Sequence, residues 1–359
     1  MHPELGRFDP TIPLAAASTP PASWYVDPSI YAIEQRRVFA RSWLQVARTD
    51  QLHAPGMSVG GCLAGLPWLV VRGDDGVLRA FHNVCRHKAA LLVDGTATGT
   101  DLRCPYHGWR YRLDGRLLRA PRVAGIQAFD RDTLSLHPMA VAEWGPFVFI
   151  NADAEAEPLV DQIPELDRLL SATGWADLRW RARRSYDVAC NWKVFVDNYL
   201  DGGYHIPNMH PSLDAQLDLA GYRTETFAIS SVQTSGASDG SDTALDVAAR
   251  IGGGAIYGWL YPHFMLNRYG PVLDTNRIVP LGHDRCRVEF EFFFDAGVSD
   301  AFVAESMAQS EVTQLEDIAI SESVQRGLGS PAYDTGRYAP ELEVGEWHFH
   351  RLLAADLTG

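Results

Sequence analysis

The sequence predicts an α+β protein of two domains, a small all-β domain followed by a larger one that mixes helices and strands. Three observations carry this reading. At roughly 100–200 residues per domain, a chain of 359 residues makes about two. From Trp43 to Asn151 short β-type runs alternate with turn residues, whereas from Glu155 onward helical and strand patterns mix. Hydrophobic residues make up 46% of the chain and aromatics 11%, which is ample for packed cores and excludes disorder as an overall description. The expected division is residues 1–42 as an arm and helix packing on the larger domain, 43–153 as the β domain, and 154–359 as the mixed domain.

The first 22 residues, rich in Pro and Ala, read as a poorly ordered arm, and a helix is expected from about Pro28 to Ser42. Trp68–Arg72, Val77–Phe81 and Phe147–Ile150 read as strands, with Gly73-Asp-Asp-Gly76 and Asp114-Gly115 as hairpin turns. Leu159 to Thr173 and Cys190 to about Gly202 read as helices. In the second of these Trp192, Phe195, Val196 and Tyr199 form an i, i+3, i+4, i+7 apolar stripe. Strands are expected at Ile256–Leu266 and Cys286–Phe294. A long helix is expected from about Asp300 to Arg326, with Arg326 in its last turn and Gly327 as the stop signal. Ser230–Asp242, small and polar apart from Val232, reads as a loop. Gly252-Gly-Gly254 lacks dinucleotide-binding spacing and also reads as a loop.

Composition narrows the function classes. With 31 Lys and Arg against 45 Asp and Glu the formal charge is −14, which argues against a nucleic-acid partner and favours cationic ligands. The best apolar run, Met139 to Ile150, is broken by Glu143, Gly145 and Pro146, so no membrane span is expected. The N-terminus has neither the basic-then-apolar pattern of a signal peptide nor an Arg- and Ser-rich transit segment, and a cytoplasmic protein is expected. Five scattered cysteines are too few for a disulfide framework and point to a reducing compartment and to metal ligation.

Two constellations carry chemistry. Cys85-Arg-His87 and Cys104-Pro-Tyr-His107 each offer one thiolate and one imidazole, 16 residues apart. Such a set binds zinc tetrahedrally, or holds a two-iron cluster with both thiolates on one iron and both imidazoles on the other. His205 and His210 lie five apart, where Gly202-Gly203 loosens the preceding helix and Pro207 stops it from continuing. Two imidazoles plus a carboxylate from elsewhere would form the facial triad of non-haem iron oxygenases, with sites left open for O2. The carboxylate should come from the long C-terminal helix, where Glu311, Glu316, Asp317 and Glu322 all qualify by type and spacing does not choose among them. Asn198 and Asp201 share a helical face with His205 if the helix reaches that far.

The pair of loops, with its Cys104-Pro-Tyr-His-Gly-Trp109 run, resembles the Rieske [2Fe–2S] motif. From about Trp24 to Leu353 the chain is similar to the oxygenase subunits of Rieske non-haem iron oxygenases, and within them to the choline monooxygenases. Asn191–His205, Tyr261–Pro271 with Asp274-Thr-Asn276, Leu315-Glu-Asp317, Ser323–Leu328, Ala332-Tyr-Asp, Gly336-Arg-Tyr338 and His348-Phe-His350 carry the similarity. The resemblance implies Cys85, His87, Cys104 and His107 as cluster ligands, and His205, His210 and Asp317 as ligands of a mononuclear Fe(II). It implies an α+β fold, an all-β Rieske domain plus a helix-grip (START-like) catalytic domain of antiparallel sheet and helices. It further implies a homotrimer in which one subunit's cluster serves its neighbour's iron. NAD(P)H electrons would arrive through a separate flavin/iron–sulfur reductase or a ferredoxin. Many relatives place an electron-relaying acid three residues before the first iron histidine. Here that position is Gly202, which leaves Asp201 or another acid as the bridge.

The expected reaction is hydroxylation of a quaternary ammonium compound by O2, on the alcohol carbon of choline or on an N-methyl group of carnitine or a betaine. Aromatic faces and carboxylates recognise a trimethylammonium head, and Tyr199, Tyr204, Trp259, Tyr261, Phe264 and Tyr269 lie in segments suited to lining its pocket, two of them at most touching substrate. The alternatives are an aromatic substrate, its carboxylate anchored by a base such as Arg268, and a non-enzymatic electron carrier.

Overall fold

The computed structural model describes residues 2–236 and 254–359. They form two compact units, Phe39–Leu159 on its own, and Met1–Val38 together with Val160–Gly359.

In the β unit, β1 (Leu44–Arg48), β2 (Met57–Leu63), β3 (Leu66–Arg72), β4 (Leu78–His82), β5 (Gly95–Thr98), β9 (Pro138–Trp144) and β10 (Phe147–Asn151) pair in the order β1-β10-β9-β4-β3-β2-β5. A three-stranded sheet of β6 (Leu102–Arg103), β7 (Arg110–Tyr111) and β8 (Leu117–Arg119) carries the rest. The two expected hairpin turns are present: Gly73 and Val77 close the β3–β4 turn at 2.9 Å, and Arg112 and Arg116 close the β7–β8 turn at 2.8 Å. One cysteine loop follows β4 and the other joins β6 to β7, so the small sheet and the large one each fix one loop.

The larger unit is a seven-stranded antiparallel sheet, formed by β11 (Arg179–Val188), β12 (Arg223–Thr226), β13 (Ser230–Ser235), β14 (Ala255–Leu260), β15 (Phe264–Tyr269), β16 (Val272–Pro280) and β17 (Cys286–Phe294). Its order is β11-β17-β16-β15-β14-β13-β12. The longer helices are α1 (Pro28–Glu34), α2 (Pro164–Ser171), α3 (Trp192–Leu200), α4 (Asp300–Leu328) and α5 (Val344–Thr358). Helix α3 packs on β16, α4 and α5. Among the described residues no helix is long and apolar enough to cross a membrane.

Several expected elements come out differently, for identifiable reasons. Ser230–Ser235 is a strand because β12 and β14 flank it and satisfy its backbone, and its small polar side chains are nearly all buried. The remainder of that expected loop from residue 237, and Gly252-Gly253, lie outside the described residues. Ile256–Leu266 is two strands separated at Tyr261-Pro-His263, where proline removes a ladder donor. The 159–173 helix breaks at Pro164. The helix from Pro28 leaves α geometry after Glu34 for a π-type turn over Gln35–Phe39. The long helix runs through Gly327 to Leu328, capped at its start by the Ser299 hydroxyl. The N-terminal arm is held in place. Thr19 N–H donates to the Gly336 carbonyl at 3.2 Å, Ala22 N–H to Asp334 at 2.8 Å, and Arg337 Nε to Ala17 at 3.0 Å, while Leu5, Phe8 and Trp24 are buried.

One ion pair joins this N-terminal segment to α3. Lys193 and Glu34 are both fully buried, with Nζ and Oε1 2.5 Å apart, and Trp192 Nε1 donates to the second Glu34 oxygen at 2.8 Å. Burial draws the Lys193 ammonium below its usual range, and Glu34 pulls it partly back. Lys193→Met alone would strand a buried carboxylate and should cost about 3–5 kcal/mol. Adding Glu34→Gln, which still accepts from Trp192, should recover most of that loss. Calorimetric unfolding of the two variants beside the parent tests this, and equal losses in the single and double variants would contradict it.

Candidate metal centres

The Cys85 and Cys104 thiols are 2% exposed and belong to the β unit's hydrophobic core, with Leu69, Phe81, Trp109 and Tyr111. The His87 and His107 rings lie at the surface, their centroids 4.6 Å apart. His87 stacks on Trp109 at 4.9 Å and 5°. Short backbone bonds set the loops: Cys85 N–H to the Ala90 carbonyl at 2.9 Å, Cys104 N–H to Trp109 at 2.7 Å, and Gly108 N–H to Cys104 at 3.1 Å. Gly108 sits at φ +71°, a conformation that glycine takes without strain. Two sulfurs inside and two imidazoles outside match the donor set of a two-iron cluster, one pair per iron. Tyr111 adds a partner that sequence reasoning missed. Its hydroxyl oxygen accepts from Arg86 N–H at 3.0 Å, leaving its proton for Cys85 Sγ at 3.3 Å. Burial pushes the Tyr111 phenol well up, so it stays a donor. Hydrogen bonds to cluster sulfurs are a lever on reduction potential.

In the larger unit, α3 stops at Leu200 and a tight turn through Gly202 and Gly203, at φ +71° and +79°, delivers His205. At Gly202 a Cβ would collide with the Leu342 carbonyl, so this backbone excludes any side chain at the position where many relatives keep a relay acid. Asp201 holds the turn, accepting from Gly203 N–H at 2.9 Å and His205 N–H at 3.0 Å, and it meets His205 Nδ1 at 2.6 Å. A single helical turn over Ile206–Met209 then presents His210 to His205, with ring centroids 4.9 Å apart at 82°.

Asp317, from the middle of α4, completes the group. One ligand atom from each of His205, His210 and Asp317 lies within 4.8 Å of the others. Asp317 Oδ1 is 3.1 Å from His210 Nε2, 3.9 Å from His205 Nε2, and accepts from Asn198 Nδ2 at 2.8 Å. Glu316 approaches the opposite nitrogen, His210 Nδ1, at 2.6 Å. The adjacent acids Glu316 and Asp317 thus straddle one imidazole. Burial lowers the His210 pKa, but Asp317 and Glu316 outweigh it and hold the imidazole above its usual range. The site's donors, two imidazole nitrogens and a carboxylate, fit a divalent iron-type ion, with carboxylates on both far nitrogens. A second trio, Asp197, Glu346 and His350, is of another kind. Its His350 Nδ1 meets the Tyr338 hydroxyl at 2.7 Å and its Nε2 meets Tyr25 at 2.9 Å and Asp197 at 3.1 Å, so both nitrogens are taken.

A cavity of about 140 Å³ opens on the His205–His210–Asp317 group. Its described lining includes Tyr199, Tyr222, Tyr257, Tyr269 and Phe290, together with Asp201 and Asp274, and no Lys or Arg. Of the six aromatics named from sequence, Tyr199 and Tyr269 line it. Trp259, Tyr261 and Phe264 are buried outside the lining, where Trp259 and Tyr261 pack against Phe349 of α5, and Tyr204 is 54% exposed. Tyr222, Tyr257 and Phe290 were missed. Tyr257 falls inside an expected strand whose alternation could have assigned it a face.

Both units match known families. The family described as Rieske [2Fe-2S] domain matches residues 42–130, and the family described as ring hydroxylating alpha subunit (catalytic domain) matches residues 175–359. The chain is 43% identical to the chloroplastic choline monooxygenase of Arabidopsis thaliana over 98% of its own length and 86% of the relative's. It is 32% identical to the carnitine monooxygenase oxygenase subunit of Escherichia coli K12, over 94% and 93%. A crystal structure of the quaternary ammonium Rieske monooxygenase CntA with its substrate L-carnitine superposes with a TM-score of 0.83 at 28% identity, covering 95% of this chain and 96% of that one. A further structure of a quaternary ammonium Rieske monooxygenase, described for inter-subunit electron transfer, gives a TM-score of 0.84 at the same identity and coverage.

The outer carboxylates should matter to the metal although neither is a ligand by geometry. Asp201→Asn and Glu316→Gln are each expected to weaken metal binding by about 10–100-fold. Competition titration of the apoprotein against a chelator measures this, and parent-like affinity in both would remove their orienting role.

Proposed function

The chain belongs to the ring-hydroxylating oxygenase α subunits that carry a Rieske [2Fe–2S] domain, and from that premise we propose that it oxygenates a quaternary ammonium compound. The observation that carries the substrate class is the cavity itself. A two-histidine, one-carboxylate group opens into a space walled by four tyrosines and a phenylalanine, with Asp201 and Asp274 in the lining and no described cation. Aromatic faces and carboxylates recognise a cation that cannot form hydrogen bonds.

His205, His210 and Asp317 would hold the iron, and Cys85, His87, Cys104 and His107 would hold the cluster. When bound, these groups would supply single electrons and an open coordination position for O2. The protein's own part is orientation and exclusion. Asp201 and Glu316 accept the Nδ1 protons of the two histidines, fixing the tautomer that presents Nε2 to the iron. Asn198 steadies the ligand oxygen of Asp317. The tyrosine walls confine the substrate and limit water. The Tyr199 hydroxyl is turned to the sheet, near Asn267 Oδ1 at 2.8 Å and the Gly258 and Leu266 carbonyls at 3.2 Å, so it is the ring that faces the cavity.

The reading extends to partners. Electrons come from NAD(P)H through a separate reductase or ferredoxin, and a cytoplasmic homotrimer passes them from one subunit's cluster to the next subunit's iron. Asp201, bonded to His205, is the bridging acid in place of Gly202. The aromatic-acid alternative loses its anchor, since the two terminal nitrogens of Arg268 are spent on the Gly270, Val272 and Thr173 carbonyls and the residue does not line the cavity.

Purified protein should hold about three irons and two sulfides per chain, counted from the two sites. With a competent reductase it should consume O2 on addition of at least one of choline, carnitine and glycine betaine, and not on addition of benzoate. Turnover of benzoate alone would overturn the substrate class, and zinc without sulfide would overturn the oxygenase.

A further inference from the structure

We propose that Gln314 hydrogen-bonds a hydroxyl group of the substrate and so selects quaternary amino alcohols over quaternary amines that lack one. This rests on the reading above and names which members of that substrate class the cavity takes.

Ser310, Gln314 and Asp317 lie at i, i+4 and i+7 on α4, one helical stripe, and all three line the cavity. Gln314 is 2% exposed, and neither its Oε1 nor its Nε2 has a hydrogen-bond partner. Leaving a buried amide unpaired on both sides is costly, and such groups in native proteins call for an explanation. The other amides of the described lining are engaged. Asn198 donates to Asp317, Asn267 to Asp274 and Asn276, and Gln233 donates to the Tyr199 carbonyl while accepting from Tyr222. Gln216 gives its amide N–H to the Ser212 carbonyl and has only its Oε1 without a partner. Gln314 is the one with both ends open, a single turn from the Asp317 ligand.

The missing partner must both give and accept a hydrogen bond in a lining that already holds Asp201, Asp274 and Asp317 and no described Lys or Arg. A carboxylate tail would be repelled there and accepts only. An alkyl tail does neither. A hydroxyl does both and carries no charge. With the hydroxyl held at α4, the ammonium head is left to the tyrosine-walled side of the cavity on β14, β15 and β17, where Tyr257, Tyr269 and Phe290 stand.

The test is calorimetric binding to the anaerobic, iron-loaded full chain, using choline and ethyltrimethylammonium, which bears the same cation without the hydroxyl. The parent should bind choline at least about tenfold more tightly, the worth of one well-made hydrogen bond. Gln314→Leu should lose about that factor for choline and stay within about twofold for ethyltrimethylammonium, with iron and sulfide content unchanged. Equal binding of the two cations by the parent overturns the role of Gln314 and leaves the substrate class standing. Equal losses for both cations in the variant mark Gln314 as merely structural. If the parent binds neither cation, the substrate class falls and this inference falls with it.

Discussion

The catalytic unit depends on where α3 sits, and α3 is held by a buried charge. Lys193 and Glu34 meet with no exposure at all, Trp192 donates to the same carboxylate, and Asn191 ties the start of the helix to Tyr25 and His283 carbonyls at 3.1 and 2.6 Å. Such a pair is weak as a source of net stability, but it tolerates little displacement, because either charge alone in that interior is strongly unfavourable. From this fixed start the helix carries Asn198 to Asp317 and Asp201 to His205, seven to ten residues further on. The N-terminal segment from Tyr25 to Glu34 is therefore part of the active-site scaffold, although it contributes no side chain to the His205–His210–Asp317 group.

The two candidate centres use opposite arrangements of polarity. In the β unit the two thiols are sunk in an apolar core and the two imidazoles face outward, so the pair of loops is insulated on its sulfur side and open on its imidazole side. In the larger unit the carboxylates are partly buried and layered, each histidine lying between Asp317 and an outer carboxylate. The inward face of α4 reflects this. Its buried residues are Val303, Ser306, Gln314 and Ser321, three polar groups to one apolar, because the helix lines cavities more than it closes a core.

That face explains what could and could not be read from the chain. The Cys-x-His and Cys-x2-His loops and the His205–His210 pair are short-range patterns, and the backbone geometry around them is local, so they were legible. The strand Cys286–Phe294 was legible to the residue because its neighbours on both sides demand alternation. Choosing Asp317 over Glu316 was not possible from spacing, since adjacent helical residues differ by about 100° and both reach His210, one at each nitrogen. The strand at Ser230–Ser235 was hidden by small polar side chains that are buried only because β12 and β14 cover them. Half of the tyrosine wall was hidden for a similar reason. Aromatics in strands are usually core, and which of them border a cavity is decided by the sheet's partners and not by the strand itself.

The turn at Gly202 closes a route as well as a loop. Since the Leu342 carbonyl occupies the space that any Cβ would need, a lineage built on this backbone cannot acquire an acid there by a single substitution. Every intermediate with a side chain at that position would first have to displace the segment leading into α5. The reverse path is equally uneven, because an ancestor with an acid in place could lose it only as that segment moved in. The two arrangements are separated by a coordinated change in two distant stretches of chain. Grafting the missing residue into this scaffold therefore means redesigning the approach to Leu342 before touching the glycine.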